Sequence, residues 1–489
     1  MTTMDGSEHR RKLHAVFLSV PLQGHIRPAI NLAIDLASRG ITITFIVIRY
    51  IHLQLVNSAD FPDKQNDQDI FEGARRAGLD IRYEIIDDGL PVEYDRMKNI
   101  DQNFKAHIHV FPAHADFVMK KIVRRSDPPV NFLIADTFYT CSGDLAKKYG
   151  LVNVSFWTEP ALVLCIYNHI DLLKQNGHYA CKENRKDPID YIPGVRAIEP
   201  TDLPSFLQDP DASNMGAQFI QAVFDDEKTS DIVIINTIQE LELEAIASML
   251  RSKPTYAIGP ISAPESPQLH ISTTIFRELD CMRWLDTKRE HSVLYISFGS
   301  FCSGNEAAMR EIAHEVLLSM VNFLWVIRDD MDEFLPDGFT EAAEGRGLIV
   351  PWCNQKKVIS HPAVGGFLTH CGWNSILESI QCEVPLICFP LFADQFTNRR
   401  IVVEEFQIGI NLHDREEVSR AEVAEKICRV MEGSMSDNLR KNLRERKKAM
   451  KDAVTANGSS RRNIREFINC VEKKVRSKED INFSNSYDN

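Results

Sequence analysis

Where apolar runs give way to helices, this chain repeatedly places residues able to move a proton or hold an anion. His25 follows Gly24 in the turn after the apolar run 13–20. An imidazole titrates near working pH, so a histidine projecting from such a turn suits general-base work. Asp136 closes the run 132–136. Parallel strands bring their carboxyl ends to one edge, so this carboxylate can reach the His25 ring, hold its tautomer and stabilise the imidazolium. The plainer alternatives are a surface or capping histidine and an aspartate that N-caps the next helix.

A second set runs from Trp352 to Gln395. The apolar run 364–369 breaks at His370-Cys371-Gly372, and an amphipathic helix opens over Trp373-Asn374-Ser375. A helix start exposes unpaired N–H groups and the positive end of its dipole, which suits a phosphate or diphosphate. His370 and Ser375 add donors, and Trp352, at the end of the run 347–350, offers a face on which a base can stack. Glu378, Asp394 and Gln395 supply acceptors and amides suited to ribose or sugar hydroxyls. Gly299 and Ser300 end the run 293–298 and offer amides and a hydroxyl to a phosphate. An ordinary βαβ unit with a capped helix is the competing reading. Gly299 to Gly304 begins like a phosphate-binding loop, but Asn305-Glu306 stands where Lys and a hydroxyl residue are required, so an NTPase is excluded. No G-x-G-x-x-G follows a strand, which leaves dinucleotide chemistry unsupported.

The elements that position these residues follow a repeated βαβ pattern. Runs at 13–20, 41–48, 81–86, 131–135, 151–156, 231–236 and 255–258 read as strands of a first domain, 1–258. Helices are expected at 26–39, at 102–125 with a kink at Pro112, and at 141–149. The proline-rich region 157–229 reads as irregular, a wall for an acceptor pocket. A Gly-, Pro- and Ser-rich linker occupies 259–274. A second domain, 275–460, restarts the pattern at 293–298 and 323–327, adds a strand at 385–389, and leads into helices at 420–432, 437–453 and 459–475. The polar tail from 477 reads as loose.

The segment Trp352 to Gln395 resembles the signature box of the plant family-1 UDP-glycosyltransferases. Trp opens that box, Gln is its fourth residue (Gln355), HCGWNS follows at 370–375, a Glu stands three residues on (Glu378), and Asp394-Gln395 closes it. The resemblance implies the GT-B fold, two Rossmann-like α/β domains facing each other across a cleft, with the chain after about 461 returning to the first domain. It implies that Gly24-His25-Ile26-Arg27-Pro28 is the family's G-H-x-x-P, with His25 the general base and Asp136 its partner. The donor's contacts carry over to Ser300, Trp352, Cys353 and Gln355, to His370, Gly372, Trp373, Asn374 and Ser375, and to Glu378, Asp394 and Gln395. Phe156-Trp157-Thr158 resembles the step whose hydroxyl residue, here Thr158, meets the donor sugar. The implied activity is inverting, metal-independent transfer from a UDP-sugar to a hydroxyl of a small lipophilic acceptor. Gln395 resembles that of glucose-preferring members, so UDP-glucose is the expected donor. No cofactor is expected beyond that substrate. Two positions depart from the pattern: Glu383 stands where Gly is usual, and Phe392 replaces a Trp near the sugar. A UDP-sugar-binding GT-B protein without turnover and a GT-B epimerase are the alternatives.

Composition narrows the field. With 489 residues, the chain exceeds one core. A net charge of −13 argues against nucleic acid or anionic membrane as partner. The basic run 440–451 reads as a solvated helix face. Eleven cysteines stand singly, without a CxxC, as in a reduced cytoplasmic protein, and no base flanks Cys371. No apolar stretch approaches the roughly 20 residues that span a bilayer, and the N-terminal run breaks too early for a signal peptide. His107, His109, His114 and Asp116 form a metal set by count but not by helical spacing. The Asp-x-Asp triplets at 67, 209 and 330 fall in polar loops, so no metal is expected.

Overall fold

The computed structural model describes residues 12–58, 70–181, 185–262, 274–299, 306–328, 334–413 and 419–487. In the first lobe the apolar runs become β1 (His14–Leu18), β2 (Thr42–Ile48), β3 (Ile81–Ile86), β4 (Phe132–Asp136), β5 (Val152–Trp157), β6 (Ile232–Ile235) and β7 (Thr255–Ala257). They pair in the order β3-β2-β1-β4-β5-β6-β7, every pair parallel. β1, β2, β4 and β5 are buried at every position. That is why they read as continuous apolar runs rather than alternating ones: helices cover both faces of a parallel sheet. The second lobe holds β8 (Val293–Ser297), β9 (Asn322–Val326), β10 (Gly347–Val350), β11 (Val364–Thr369), β12 (Leu386–Cys388) and β13 (Gly409–Asn411), ordered β10-β9-β8-β11-β12-β13 and again all parallel.

Each sheet reverses its winding once, between β1 and β4 and between β8 and β11. A crevice opens at such switch points beyond the strands' carboxyl ends. Register does the rest. Leu18 lies beside Ala135 and Asp136 beside Phe156, so the chain leaves β1, β4 and β5 at one level. Thr369 lies beside Ser297, so Phe298-Gly299 and His370 emerge together in the other lobe.

Several expectations change. The first helix begins at Gln23, so His25 sits in its first turn rather than ahead of it. The helix expected over 102–125 is two, Ile100–His109 and Phe111–Arg125, broken at Val110 with Pro112 in the first turn of the second, where its missing N–H costs nothing. The region 157–229 contains the helices Ala161–Asn168 and Met215–Glu227. The first is apolar on all sides because it is buried on nearly all sides, and so shows no amphipathic period. β13 was not expected. The final helix, Ser459–Tyr487, runs through the tail expected to be loose, and Lys478 holds it by donating to the Leu151 carbonyl (2.6 Å) and Asp231 (3.1 Å). Its Ile464, Phe467 and Val471 join the core of the first lobe, while Asn463 donates to the Ala257 carbonyl (2.8 Å). Residues 263–273 of the expected linker lie outside the described residues. The basic run 440–451 is not simply solvated: Arg440 donates to the carbonyls of Glu383 (3.0 Å) and Gly365 (2.7 Å), and Arg446 lies over the Phe406 ring.

Candidate active site

Between the lobes lies a cavity of about 670 Å³ lined from both sides, a size suited to a small-molecule ligand. On the first lobe, His25 Nδ1 lies 2.8 Å from Asp136 Oδ2, and Thr158 Oγ1 stands 3.0 Å from the same nitrogen. Asp136 is 1% exposed and accepts a further bond from Phe138 N–H (3.1 Å). The Phe138 ring meets the imidazole edge-on, with centroids 5.5 Å apart. Burial pulls the His25 pKa down, but the Asp136 carboxylate, with a smaller contribution from Asp394 across the cleft, raises it above the usual imidazole value. With Nδ1 turned to the carboxylate, Nε2 is the nitrogen left to take a substrate proton.

On the second lobe, the helix Trp373–Cys382 starts at the switch point with Gly372 as N-cap in extended conformation. A Cβ on Gly299 or Gly372 would stand 2.7 or 2.6 Å from His370 Nε2. Both glycines therefore leave room for the ring where it lies, between the end of β8 and the helix start. Withdrawal from water lowers the His370 pKa to about 4, against the pull of the Ser297 carbonyl, so the ring is a neutral donor at working pH. Ser375 Oγ accepts from Gln355 Nε2 (3.1 Å), which leaves its own O–H free to donate into the cavity. Gln395 Oε1 accepts the N–H groups of Leu391 (2.8 Å) and Phe392 (2.9 Å), so its NH₂ is what faces a ligand. Asp394 stands just ahead of the helix Gln395–Arg400, with no side-chain cap bond to it. Its carboxyl accepts from Asn398 (2.5 Å), and burial lifts it to about 6.

Of the expected donor contacts, Trp352, Cys353, Gln355, His370, Gly372, Trp373, Asn374, Ser375, Asp394 and Gln395 line the cavity, as do Thr158 and His25. Ser300 lies outside the described residues. Three side chains expected on the ligand are engaged elsewhere. The Trp373 indole donates to the Asn236 carbonyl (2.8 Å), and Asn374 donates to the Gly24 carbonyl (2.8 Å) and accepts from Asn236 (3.2 Å). These two side chains tie the lobes together, and their backbone N–H groups are what remain for an anion. Glu378 does not line the main cavity; it pairs with Arg27 of the first lobe and accepts from Gln355 (2.9 Å). The Cys353 thiol is buried beside Tyr295 (3.7 Å), its pKa pushed far up by a hydrogen bond with the Cys281 thiol and then by burial, so it is no nucleophile.

The two departures from the family pattern find local explanations. Glu383 is the C-cap of Trp373–Cys382 with φ 59°, a left-handed position that favours glycine, and its carboxylate pairs with Lys447 (2.8 Å). Phe392 packs edge-on against Phe206 (4.8 Å) at the cavity wall. Among the described residues no three potential metal ligands cluster. His107 packs in a cluster of three rings with Phe111 and Tyr139, His114 is bonded to the Asp87 carbonyl, and Asp209 and Asp211 cap their own turn. The triplets at 67–69 and 330–332 lie outside the described residues.

Sequence reasoning missed four contributors. Arg27 and Asn236 act through contacts remote in sequence. Phe276 packs against Trp352 with centroids 4.2 Å apart. Glu159 lines the cavity beside Thr158, and a lone carboxylate in the apolar stretch 156–167 was the available signal.

Residues 271–444 match the family model described as UDP-glucoronosyl and UDP-glucosyl transferase. Over 96% of its length the chain is 47% identical to UDP-glycosyltransferase 86A1 of Arabidopsis thaliana, covering 96% of that protein. The chain belongs to the plant family-1 UDP-glycosyltransferases. As a member, it is a UDP-sugar-dependent glycosyltransferase of GT-B fold. It is also 32% identical to 7-deoxyloganetin glucosyltransferase of Catharanthus roseus, with 97% of this chain and 99% of that one covered. Among solved structures, Os79 from O. sativa in complex with UDP superposes with TM-score 0.77 at 26% identity, over 94% of this chain and 100% of that one. Phytolacca americana UGT2, complexed with UDP-2fluoro-glucose and pterostilbene, gives TM-score 0.74 at 25% identity, over 94% and 99%. Among the described residues, no helix of this glycosyltransferase is long and apolar enough to cross a membrane.

Proposed function

We propose that this glycosyltransferase moves glucose from UDP-glucose to a hydroxyl of a small lipophilic acceptor, inverting the anomeric centre without a metal. The observation that carries the reading is His25, held by Asp136 behind it, on one wall of a cavity whose opposite wall is the start of the helix Trp373–Cys382. His25 Nε2 takes the acceptor's proton as its oxygen attacks the anomeric carbon, and Asp136 stabilises the imidazolium. The bond from that carbon to the diphosphate oxygen breaks, and UDP leaves with the electron pair. The amides at the helix start, Ser375 O–H and neutral His370 take up the developing charge, which is electrostatic help preorganised away from water. In-line attack opposite the leaving group inverts the centre. Phe104, Phe138, Phe206, Phe219 and Phe392 line the cavity and favour an apolar acceptor. Glucose as donor rests on Gln395, whose amide is aimed at the site, and on the glucosyltransferases among the relatives. A cytoplasmic setting is supported by the ten described cysteines, all unpaired.

The test offers a mixed phenol panel and competing UDP-sugars in the presence of a chelator, with products read by mass spectrometry and the anomeric linkage by NMR. A β-glucoside formed at an undiminished rate is expected. A retained α-linkage, a loss of activity on chelation, or preference for another UDP-sugar would overturn the corresponding part of the reading.

A further inference from the structure

Glu159 follows Thr158 at the end of β5 and is 9% exposed, yet it lines the inter-lobe cavity. Its Oε2 is buried and has no hydrogen-bond partner. The turn that carries it is pinned, because the Trp157 indole donates to the Pro160 carbonyl (2.8 Å) on its far side. A buried carboxyl left without a partner costs free energy unless a ligand completes it. The other two carboxyls that bear on this part of the cavity are engaged: Asp136 with His25, and Asp394 with Asn398. Burial, and then the charges of Asp394 and Asp136, raise the Glu159 pKa well above its ordinary value, which favours the protonated form. A neutral carboxylic acid offers an O–H donor and a carbonyl acceptor, which complements a sugar hydroxyl.

Charge points to which sugar fits. A uronic acid would bring a further carboxylate close to those of Asp136 and Asp394 and to the buried carboxyl of Glu159. The arginines on the cavity wall are already paired, Arg27 with Glu378 and Arg96 with Asp88, and its lysines, Lys356 and Lys357, are exposed residues of the second lobe. Resting on the transfer reading above, we propose that Glu159 grips a hydroxyl of the transferred sugar and selects an uncharged hexose against a uronic acid. It is a specificity-determining residue of the donor side, contributed by the first lobe.

The test titrates UDP, UDP-glucose and UDP-glucuronate into the wild type, Glu159→Ala and Glu159→Gln by calorimetry, with kcat and KM for donor and acceptor measured alongside. The wild type should bind UDP-glucose more tightly than UDP-glucuronate. Glu159→Ala should weaken UDP-glucose about tenfold, as loss of one buried hydrogen bond implies, and shrink its advantage over UDP-glucuronate by a similar factor. UDP itself, lacking the sugar, should bind within about twofold of wild type. Glu159→Gln, which keeps a donor and an acceptor, should retain most of the UDP-glucose affinity, and it carries the test if the alanine variant does not fold. Equal weakening of UDP and UDP-glucose in the folded variants, unchanged UDP-glucose binding in Glu159→Ala, or a change confined to the acceptor KM would overturn the assignment. A wild type that binds neither nucleotide would instead refute the transfer reading itself, before any variant is compared.

Discussion

Asp136→Asn tests the electrostatics of the proposed base. The carboxylate is 1% exposed and its Oδ2 lies 2.8 Å from His25 Nδ1. The amide keeps the shape and can still accept from Phe138 N–H, so the fold should survive. The charge is lost. Removing one partner of a buried charged pair costs roughly 3–5 kcal/mol. In catalysis that cost falls on the step that creates imidazolium, which at about 1.4 kcal/mol per decade gives a kcat lower by about 10²–10⁴. Because Asp136 does not contact the donor, the KM for UDP-glucose should stay within about threefold. The pH profile carries the sharper test. A general base must be neutral, so wild-type activity falls as pH drops through the raised His25 pKa. In Asp136→Asn the burial that opposes that rise meets only the smaller contribution of Asp394, and the acid limb should move to lower pH. The sign for stability is opposite. The raised His25 pKa stabilises the fold below about pH 6.5, the unfolded value, and that contribution is lost as pH rises through the folded value. UDP release against a phenol acceptor from pH 5 to 9, with circular dichroism as a fold check, measures this. A variant with near-wild-type kcat, or an unmoved acid limb, would refute the reasoning.

Arg27→Ala frees Glu378 from an ion pair between lobes and should tighten UDP by up to about threefold if Glu378 serves the ribose; weaker binding by calorimetry would mean that Arg27 itself contacts the donor. At position 383, Glu383→Gly should be more stable than Glu383→Ala by about 1 kcal/mol, because both lose the Lys447 pair but only alanine keeps the cost of φ 59°; equal urea midpoints would contradict this. Trp373→Phe leaves the Asn236 carbonyl unpaired between the lobes and should cost about 1–3 kcal/mol in denaturant unfolding, and no loss would remove the indole as an inter-lobe tie.

The site's outline was legible because strand ends and helix starts leave local marks. The run into Asp136, the Gly-His step and the break at His370 each state where a sheet edge lies, and β1, β4, β8 and β11 converge on those marks. What escaped was of two kinds. The helix Ala161–Asn168 has no polar face to set a period, since burial surrounds it. The partners of Trp373, Asn374 and Glu378 lie in the other lobe, and one chain read in order gives no register between lobes. Trp373, Asn374 and Glu378 therefore have inter-lobe partners that no local pattern announces, while Glu159, which has none, went unnoticed.

The most direct test of the account is the rate of UDP release by His25→Ala at saturating UDP-glucose and acceptor, with UDP affinity measured on the same preparation. A rate lower by about 10²–10⁴ with UDP affinity unchanged is predicted, since the imidazole takes the proton but does not hold the nucleotide. Wild-type turnover in the folded variant would contradict the assignment of the base, and with it the opposition of imidazole and helix start on which the mechanism depends.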